Sequence, residues 1–140
     1  MPAINPYLNF PGNTEDAFNF YKSVFGGEFL TLQRFKDTPD ADKLPPGVDN
    51  QVMHVALPIG KNNILMGTDA PESMGFSITA GTNQYICISP DSREEATKLF
   101  NGLSSGGKVE MDLQDMFWGA YYGSLTDKFG IKWMVNYSKQ

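Results

Sequence analysis

One helical pattern occurs twice along this 140-residue chain and limits what the chain can fold into. Residues 15–21, EDAFNFY, are echoed by residues 94–100, EEATKLF, and a proline stands four positions before each segment. Paired glycines at 26–27 and 106–107 follow the two segments, as is common at helix ends. Patterns typical of strands surround each helix, so each half is predicted to be one strand, one helix and three strands. Because such a half cannot cover its apolar sheet face alone, we expect the halves to build one curved, largely antiparallel sheet.

The repeat also sets the expected domain organisation within a single domain. The first module spans residues 1–68, a connecting segment rich in Gly, Pro, Ser and Thr spans 69–82, and the second module spans 83–140. Asn13 or Thr14 is predicted to cap the first helix. Alternation and β-propensity predict strands at residues 4–10, 28–35, 51–58, 63–67, 85–88, 108–113, 117–126 and 131–137.

The last two strands are predicted to form a hairpin. Both are rich in aromatic and β-prone residues, and the sequence DKFG at 127–130 lies between them. Gly130 suits a turn position of positive φ, and Asp127 can accept hydrogen bonds from the backbone of its own turn.

Composition and charge exclude several classes of function. With 41% hydrophobic and 13% aromatic residues, the chain is predicted to be an ordered globular domain. A net charge of −5 with no basic segment argues against a nucleic-acid partner. Cys87 is the single cysteine, so no internal disulfide can form and a reducing compartment is expected. No stretch approaches the ~20 apolar residues of a membrane span, and the cytoplasm is the expected location.

Four segments in a fixed order resemble a known family. They are residues 6–10 (PYLNF), the helix at 15–27, the pair Met53-His54, and the hairpin at 117–133. In this order they resemble the PhnB-like branch of the vicinal-oxygen-chelate superfamily, which also holds glyoxalase I and the fosfomycin and bleomycin resistance proteins. The resemblance implies an α+β fold of two βαβββ modules around a cleft, and it implies a homodimer.

The resemblance also implies where a metal would bind. Members that use a metal place His, Glu or Gln at the start of the first strand and within the last strand of each module. The repeat carries these positions onto Asn5, Met66, Gln84 and Met134. A thioether is a soft ligand that suits magnesium, manganese or zinc poorly, and none of these four positions offers a charged oxygen or an imidazole. We therefore expect neither a bound metal nor another cofactor.

His54 is the only histidine and the only candidate for a catalytic group. It is out of phase with Val55 and Leu57 in its predicted strand. One interpretation is a half-buried strand histidine whose ring nitrogens are satisfied by neighbours. The other is a cavity residue that hydrogen-bonds a ligand or acts as a general base near neutral pH. The sequence does not name a partner for it.

Aromatic residues of the predicted strand 117–126 offer a second group of candidates. Alternation places Trp118 and Tyr122 on one face and Tyr121 on the other. Aromatic residues at this spacing build a core or line a small-molecule pocket.

We predict metal-independent binding of a small organic molecule in the cleft, in the manner of the bleomycin-sequestering relatives. The predicted ligand-binding residues are His54, Gln84, Trp118, Met66, Met134, Asn5 and Tyr122. One alternative is a metal-dependent lyase or transferase of the glyoxalase I or fosfomycin-resistance type. Another is a catalytically silent dimeric interaction protein that uses its loops at 36–50 and 69–82. Methyltransferase activity is not predicted, because no glycine-rich turn lies between a strand and a helix to hold a nucleoside cofactor.

Overall fold

The computed structural model of the protein describes residues 2–139, and the chain divides into two compact units, residues 1–79 and 80–140. In the part described, each unit contains one α-helix and one four-stranded sheet. None of the helices within residues 2–139 combines the length and the apolar character needed to cross a bilayer.

The first unit folds in the order strand, helix and three strands. Its elements are β1 (Tyr7–Phe10), α1 (Thr14–Phe25), β2 (Thr31–Arg34), β3 (Val52–Ile59) and β4 (Asn63–Asp69). The strands lie in the order β1-β4-β3-β2, with β1 parallel to β4 and the other pairs antiparallel. Short 3-10 turns at Phe35–Asp37, Ala41–Lys43 and Glu72–Met74 lie in the connections outside the sheet.

The second unit repeats this arrangement. Its elements are β5 (Ile86–Ile88), α2 (Arg93–Ser104), β6 (Lys108–Asp115), β7 (Ala120–Thr126) and β8 (Lys132–Ser138). Their order is β5-β8-β7-β6, again with one parallel pair, β5 with β8. The predicted pair of βαβββ modules is therefore confirmed.

Each helix packs on one face of its own sheet. In the first unit Val55 lies opposite Gly67 and Leu57 opposite Leu65, and all four residues are buried on the helix side of the sheet. The core of the first unit includes Phe10, Ala17, Phe18, Tyr21, Val55, Leu57 and Leu65, and that of the second includes Ala96, Phe100, Leu103, Leu125, Trp133 and Val135. The opposite face of each sheet, called here its far face, lies on the side away from the helix.

The cap of α1 differs from the prediction. Asn13 stands at the N-cap position, but its side chain makes no capping hydrogen bond. The donors are instead met by Asp69, whose Oδ1 accepts from the backbone N–H of Thr14 at 3.0 Å and from its hydroxyl at 2.6 Å. Its Oδ2 accepts from the backbone N–H of Val52 at 2.8 Å. Asp69 therefore ends β4 and ties that strand to α1 and β3, whereas the sequence predicts it to open the irregular segment.

The predicted hairpin turn is confirmed, but the predicted start of the hairpin's first strand is wrong. Asp127 Oδ1 accepts from the backbone N–H groups of Phe129 and Ile131, and Gly130 has a φ of 89°. The strand predicted for 117–126 begins only at Ala120. Trp118 therefore does not alternate with Tyr122 along one strand.

The residues before Ala120 form a turn that joins β6 to β7. The Met116 N–H donates to the Ala120 carbonyl, and the Gly119 N–H donates to the Met116 carbonyl. Gly119 has a φ of 93°, which favours glycine. The β-propensity of Phe117 and Trp118 is thus overridden by a turn that Gly119 makes possible.

Candidate functional site

The far face of the first sheet brings together three side chains from three strands. Tyr7 of β1 lies beside Met66 of β4 in parallel register, and Met66 lies opposite Ala56 of β3. His54 stands two positions along β3 from Ala56, on the same face. The order β1-β4-β3 therefore places Tyr7, Met66 and His54 next to one another, and they are called here the first-sheet site.

Tyr7 and His54 contact each other directly. The Tyr7 hydroxyl lies 3.1 Å from Nδ1 of His54, and the two rings are stacked with centroids 5.7 Å apart and planes 27° from parallel. Partial burial raises the pKa of the Tyr7 hydroxyl, so the phenol stays neutral and can donate. Tyr7 is the partner for His54 that the sequence does not name.

The remaining ring nitrogen of His54 is available to a ligand. Within residues 2–139, Nε2 has no hydrogen-bond partner, and the side chain is half-buried. When the Tyr7 hydroxyl donates to Nδ1, Nε2 carries the proton and is a donor; in the other tautomer it is an acceptor. Depending on the tautomer, Nε2 of His54 can therefore donate a hydrogen bond to a ligand or accept one from it.

Asn5 has a structural role that the sequence does not indicate. Its Oδ1 accepts from the backbone N–H of Ile64 at 3.1 Å, and the Pro6 carbonyl accepts from the Met66 N–H. The side chain thus continues the ladder between β1 and β4 beyond the end of β1. Asn5 positions the strand that carries Tyr7.

The far face of the second sheet holds a comparable group. Tyr122 lies opposite Asn136, and Ser124 lies opposite Met134, which in turn lies beside Cys87 of β5. Asn136 Oδ1 is buried and has no hydrogen-bond partner in the part of the chain described. Tyr122, Met134 and Asn136 are called here the second-sheet site, to which Asn136 is an addition that the sequence does not predict.

The other two predicted residues lie at exposed positions. Gln84 is exposed and stands two residues before β5. Trp118 is 56% exposed in the β6–β7 turn, where its ring meets that of Phe117 edge-on with centroids 5.0 Å apart. Neither residue belongs to the first-sheet or the second-sheet site.

The register shows which residues of the two units are equivalent. Tyr7 lies beside Met66 as Cys87 lies beside Met134. Burial raises the pKa of the Cys87 thiol, which therefore stays protonated. A phenol, a thiol and two thioethers fit neither a hard divalent ion, which takes oxygen ligands, nor a borderline ion that takes imidazole and carboxylate. Among residues 2–139, no three His, Cys, Asp or Glu side chains are grouped so that they could hold a metal.

A polar network crosses the second sheet. Glu110 accepts from Lys132 Nζ at 2.8 Å, from the Tyr85 hydroxyl at 2.6 Å and from the Thr126 hydroxyl at 3.2 Å. The hydrogen bond from Lys132 lowers the pKa of Glu110, and the same contact raises the pKa of Lys132. The network joins β6, β7, β8 and the residue just before β5, so these residues have a structural role.

A shallow pocket of about 470 Å³ is lined by residues of the second unit that belong to neither site. Arg93 at the start of α2 forms a bidentate pair with Asp115, at 2.7 and 2.8 Å, and lies 3.8 Å above the ring centre of Tyr121. Tyr137 and Lys139 complete the wall. None of the seven predicted ligand-binding residues lines this pocket, in which Arg93 and Asp115 already pair with each other.

Known proteins resemble the chain over its whole length. The family model described as 3-demethylubiquinone-9 3-methyltransferase matches residues 2–136. Protein YjdN of Escherichia coli (strain K12) is 33% identical over 152 aligned residues, which cover 100% of this chain and 97% of YjdN. The crystal structure of PA1353 from Pseudomonas aeruginosa is 35% identical with a TM-score of 0.87 and covers 100% of both chains. A PhnB protein from Bacillus cereus is 25% identical with a TM-score of 0.78, covering 98% of this chain and 100% of that one.

More distant structures share the fold alone. FosX from Listeria monocytogenes, a fosfomycin resistance protein, has a TM-score of 0.65 at 8% identity and covers 99% of this chain and 94% of its own. The protein thus has the fold of the glyoxalase/bleomycin resistance/dioxygenase superfamily. The chain belongs to the family whose model is described as 3-demethylubiquinone-9 3-methyltransferase, which is PhnB-like.

Proposed function

We propose that this protein binds a small organic molecule without a metal, and that the first-sheet site is where the molecule is held. The observation that carries the proposal is the Tyr7–His54 pair, which leaves His54 Nε2 available beside the flexible side chain of Met66. Small-molecule sites are commonly apolar and aromatic surfaces with a few placed polar atoms, and this group has that composition.

The alternative interpretation of His54 is purely structural: it is a strand histidine whose ring nitrogens are hydrogen-bonded by a neighbour. Tyr7 does satisfy Nδ1, but a purely structural histidine in a half-buried position would gain little from an aromatic partner that is itself 46% exposed. The stacked pair exposes apolar ring surface that a bound molecule would cover, which favours the binding role.

The other predicted residues have different roles in the proposal, some in binding and some in positioning. Met134 and Tyr122 bind ligand at the second-sheet site, together with Asn136, whose buried carbonyl oxygen lacks a donor. Asn5 holds β1 in place for Tyr7. Gln84 and Trp118 are both exposed and belong to neither site, so the proposal gives them no contact with the ligand of the first-sheet site.

The first experiment is a fragment screen by thermal shift on the wild type, His54→Ala and Tyr7→Phe, with Gln84→Ala as the exposed control. A hit at the first-sheet site should weaken at least about tenfold in His54→Ala, because one hydrogen bond and the ring contact are lost. Gln84→Ala should bind as the wild type does. Hits that bind both His54→Ala and Tyr7→Phe with unchanged affinity would refute the proposed site.

Metal independence has its own test. Protein purified without chelator is offered Mn²⁺, Co²⁺, Ni²⁺ and Zn²⁺ in turn, and the retained metal is measured after desalting. We expect no ion to be retained near one equivalent, since the equivalent positions offer soft or neutral donors. Stoichiometric retention that is lost in His54→Ala would instead favour a metal-dependent lyase or transferase.

The description of the family names a methyl transfer, which the proposal does not adopt. The connection from β1 to α1 contains one glycine, Gly12, and the connection from β5 to α2 contains none. A nucleoside cofactor is usually held by a glycine-rich turn between a strand and a helix. S-adenosylmethionine in the same thermal-shift screen tests this point, and a saturable shift would bring the methyltransferase function back.

The homodimer implied by the family resemblance also remains a proposal. Light scattering across a dilution series measures it directly. A mass that stays at one chain, 15.5 kDa, at every concentration would contradict it.

A further inference from the structure

Within residues 2–139, the strands place no Asp, Glu, Lys or Arg on the far face of the first sheet. The register between the strands places ten residues on it: Tyr7, Asn9, Thr31, Gln33, His54, Ala56, Pro58, Ile64, Met66 and Thr68. None is Asp, Glu, Lys or Arg. The polar members are amides, hydroxyls and one imidazole, which can all form hydrogen bonds with an uncharged ligand.

The charged residues of these strands are directed to the helix side. Only Arg34 and Asp69 among the residues of β1 to β4 are charged. Arg34 forms a bidentate pair with Glu15 of α1, at 2.7 and 3.0 Å. Asp69 accepts hydrogen bonds from Thr14 of α1. Arg34 is ion-paired with α1 and Asp69 is hydrogen-bonded to it, so both side chains are engaged on the helix side and not on the far face.

This distribution of charge bears on the chemistry of the ligand. A charged molecule that packs on the far face would lose water from its charge and find no opposite charge in the sheet to replace it. A neutral molecule would meet apolar ring surface, a thioether and a set of uncharged hydrogen-bonding groups. The rings of Tyr7 and His54 lie 27° from parallel, so a flat partner can pack against ring surface of this pair.

We infer that the ligand of the first-sheet site is uncharged at neutral pH, carries a flat aromatic or conjugated group, and forms one hydrogen bond with His54 Nε2. The inference rests on the proposed function and narrows it to a class of molecule. The flat group lies against Tyr7, Met66 and His54, and an amide or carbonyl attached to it meets Nε2.

Three probes of one shape and different charge test this class. Benzamide is neutral, benzoate is an anion and benzamidinium is a cation, and all three are planar rings with one small substituent. Each is titrated into isotopically labelled protein, and binding is followed through the NMR shifts of backbone amides in β1, β3 and β4. We expect benzamide to bind the first-sheet site at least about tenfold more tightly than either ion.

Two variants identify where the probes bind. Arg93→Ala breaks the ion pair with Asp115 in the pocket near α2. An ion that binds in that pocket should therefore change its affinity in this variant, whereas binding at the first-sheet site should not change. His54→Gln keeps an uncharged hydrogen-bonding side chain and should retain part of the affinity for benzamide, whereas His54→Ala should lose it. The unperturbed amide spectrum of each variant shows that it is folded.

The outcomes separate the inference from the function on which it rests. Equal binding of all three probes, or tighter binding of an ion at the first-sheet site, overturns the uncharged class and leaves small-molecule binding intact. Absence of shifts in β1, β3 and β4 for all three probes at about 10 mM argues against the first-sheet site itself, and with it against the proposed function. A preference for benzamide that persists in His54→Ala overturns the role of Nε2.

Discussion

The carboxylate of Asp127 accepts the indole N–H of Trp133 at 2.8 Å in the interior of the second unit. Asp127 is 3% exposed and Trp133 is 1% exposed. The other carboxylate oxygen closes the β7–β8 turn by accepting from the backbone N–H groups of Phe129 and Ile131. One side chain therefore fixes both the turn and the largest aromatic residue of the core.

Replacing Asp127 by Ala should destabilise the protein by about 3 kcal/mol, because three buried or partly buried donors lose their acceptor. Asp127→Asn keeps one carbonyl oxygen and should cost less. The measurement is urea denaturation followed by tryptophan fluorescence. Trp118→Phe is made first, since it leaves Trp133 as the only tryptophan and removes the exposed one. Equal midpoints for Asp127→Ala and its parent would contradict the role of the carboxylate.

A second prediction concerns the contact between β4 and α1. Thr14→Val removes the hydroxyl that donates to Asp69 Oδ1 at 2.6 Å but keeps the backbone N–H that donates to the same oxygen. We expect a loss of about 1–2 kcal/mol in the free energy of unfolding, since a buried carboxylate is left with one donor fewer. Ser23→Ala is the control, because its hydroxyl donates to the carbonyl of Phe20 within α1. A loss in Thr14→Val no larger than in Ser23→Ala would show that the hydroxyl contributes nothing particular.

These two carboxylates show which part of the fold the sequence can predict. The turn at Asp127 is encoded within four residues, so aspartate and glycine at the right spacing suffice to predict it. The cap of α1 comes from Asp69, which is 55 positions along the chain from Thr14. A local pattern names Asn13 or Thr14 as the cap, because it contains no information about which strand end will reach the helix.

The candidate site was predictable to a similar extent. His54 and Met66 follow from strand alternation and from the repeat. Tyr7 does not, because its contact with His54 depends on β4 lying between β1 and β3 and on the register of both ladders. The predicted strand position of Trp118 is wrong for a different reason. Gly119 favours a turn, but the β-propensity of its neighbours outweighs this in a prediction from sequence patterns.

The third prediction is the pH dependence of the network around Glu110. Its pKa is held below the ordinary value of 4.5 by the hydrogen bond from Lys132 and then by the one from Tyr85. A carboxyl group with a lowered pKa in the folded state adds stability above its unfolded pKa, and this stability is lost as the pH falls through the folded pKa. The urea midpoint of the wild type should therefore fall as the pH is lowered below 4.5.

Two variants isolate the contribution of Glu110. Glu110→Gln cannot ionise, so it should show a smaller fall in midpoint than the wild type between about pH 5 and about pH 3. Lys132→Met removes the donor that lowers the pKa most and should reduce the fall in the same way. The double variant should show no further reduction. A full wild-type pH dependence in Glu110→Gln would place the titrating group elsewhere.

The last prediction tests how closely α1 packs on its sheet. A Cβ at Gly67 in β4 would lie 2.5 Å from Cε1 and 2.9 Å from Cζ of Phe18, which is fully buried. Gly67→Ala should therefore cost about 1–3 kcal/mol of unfolding free energy, because the ring must move within a packed core. Gly81→Ala is the control: its Cβ would make only an ordinary contact, 3.5 Å from Asn83 Oδ1, and its cost should stay within about 0.5 kcal/mol. Phe18→Leu shortens the opposing side chain, so the double variant Gly67→Ala/Phe18→Leu should lose less stability than the two single losses together. Strict additivity of the two losses would mean that the ring of Phe18 is not what excludes a side chain at position 67.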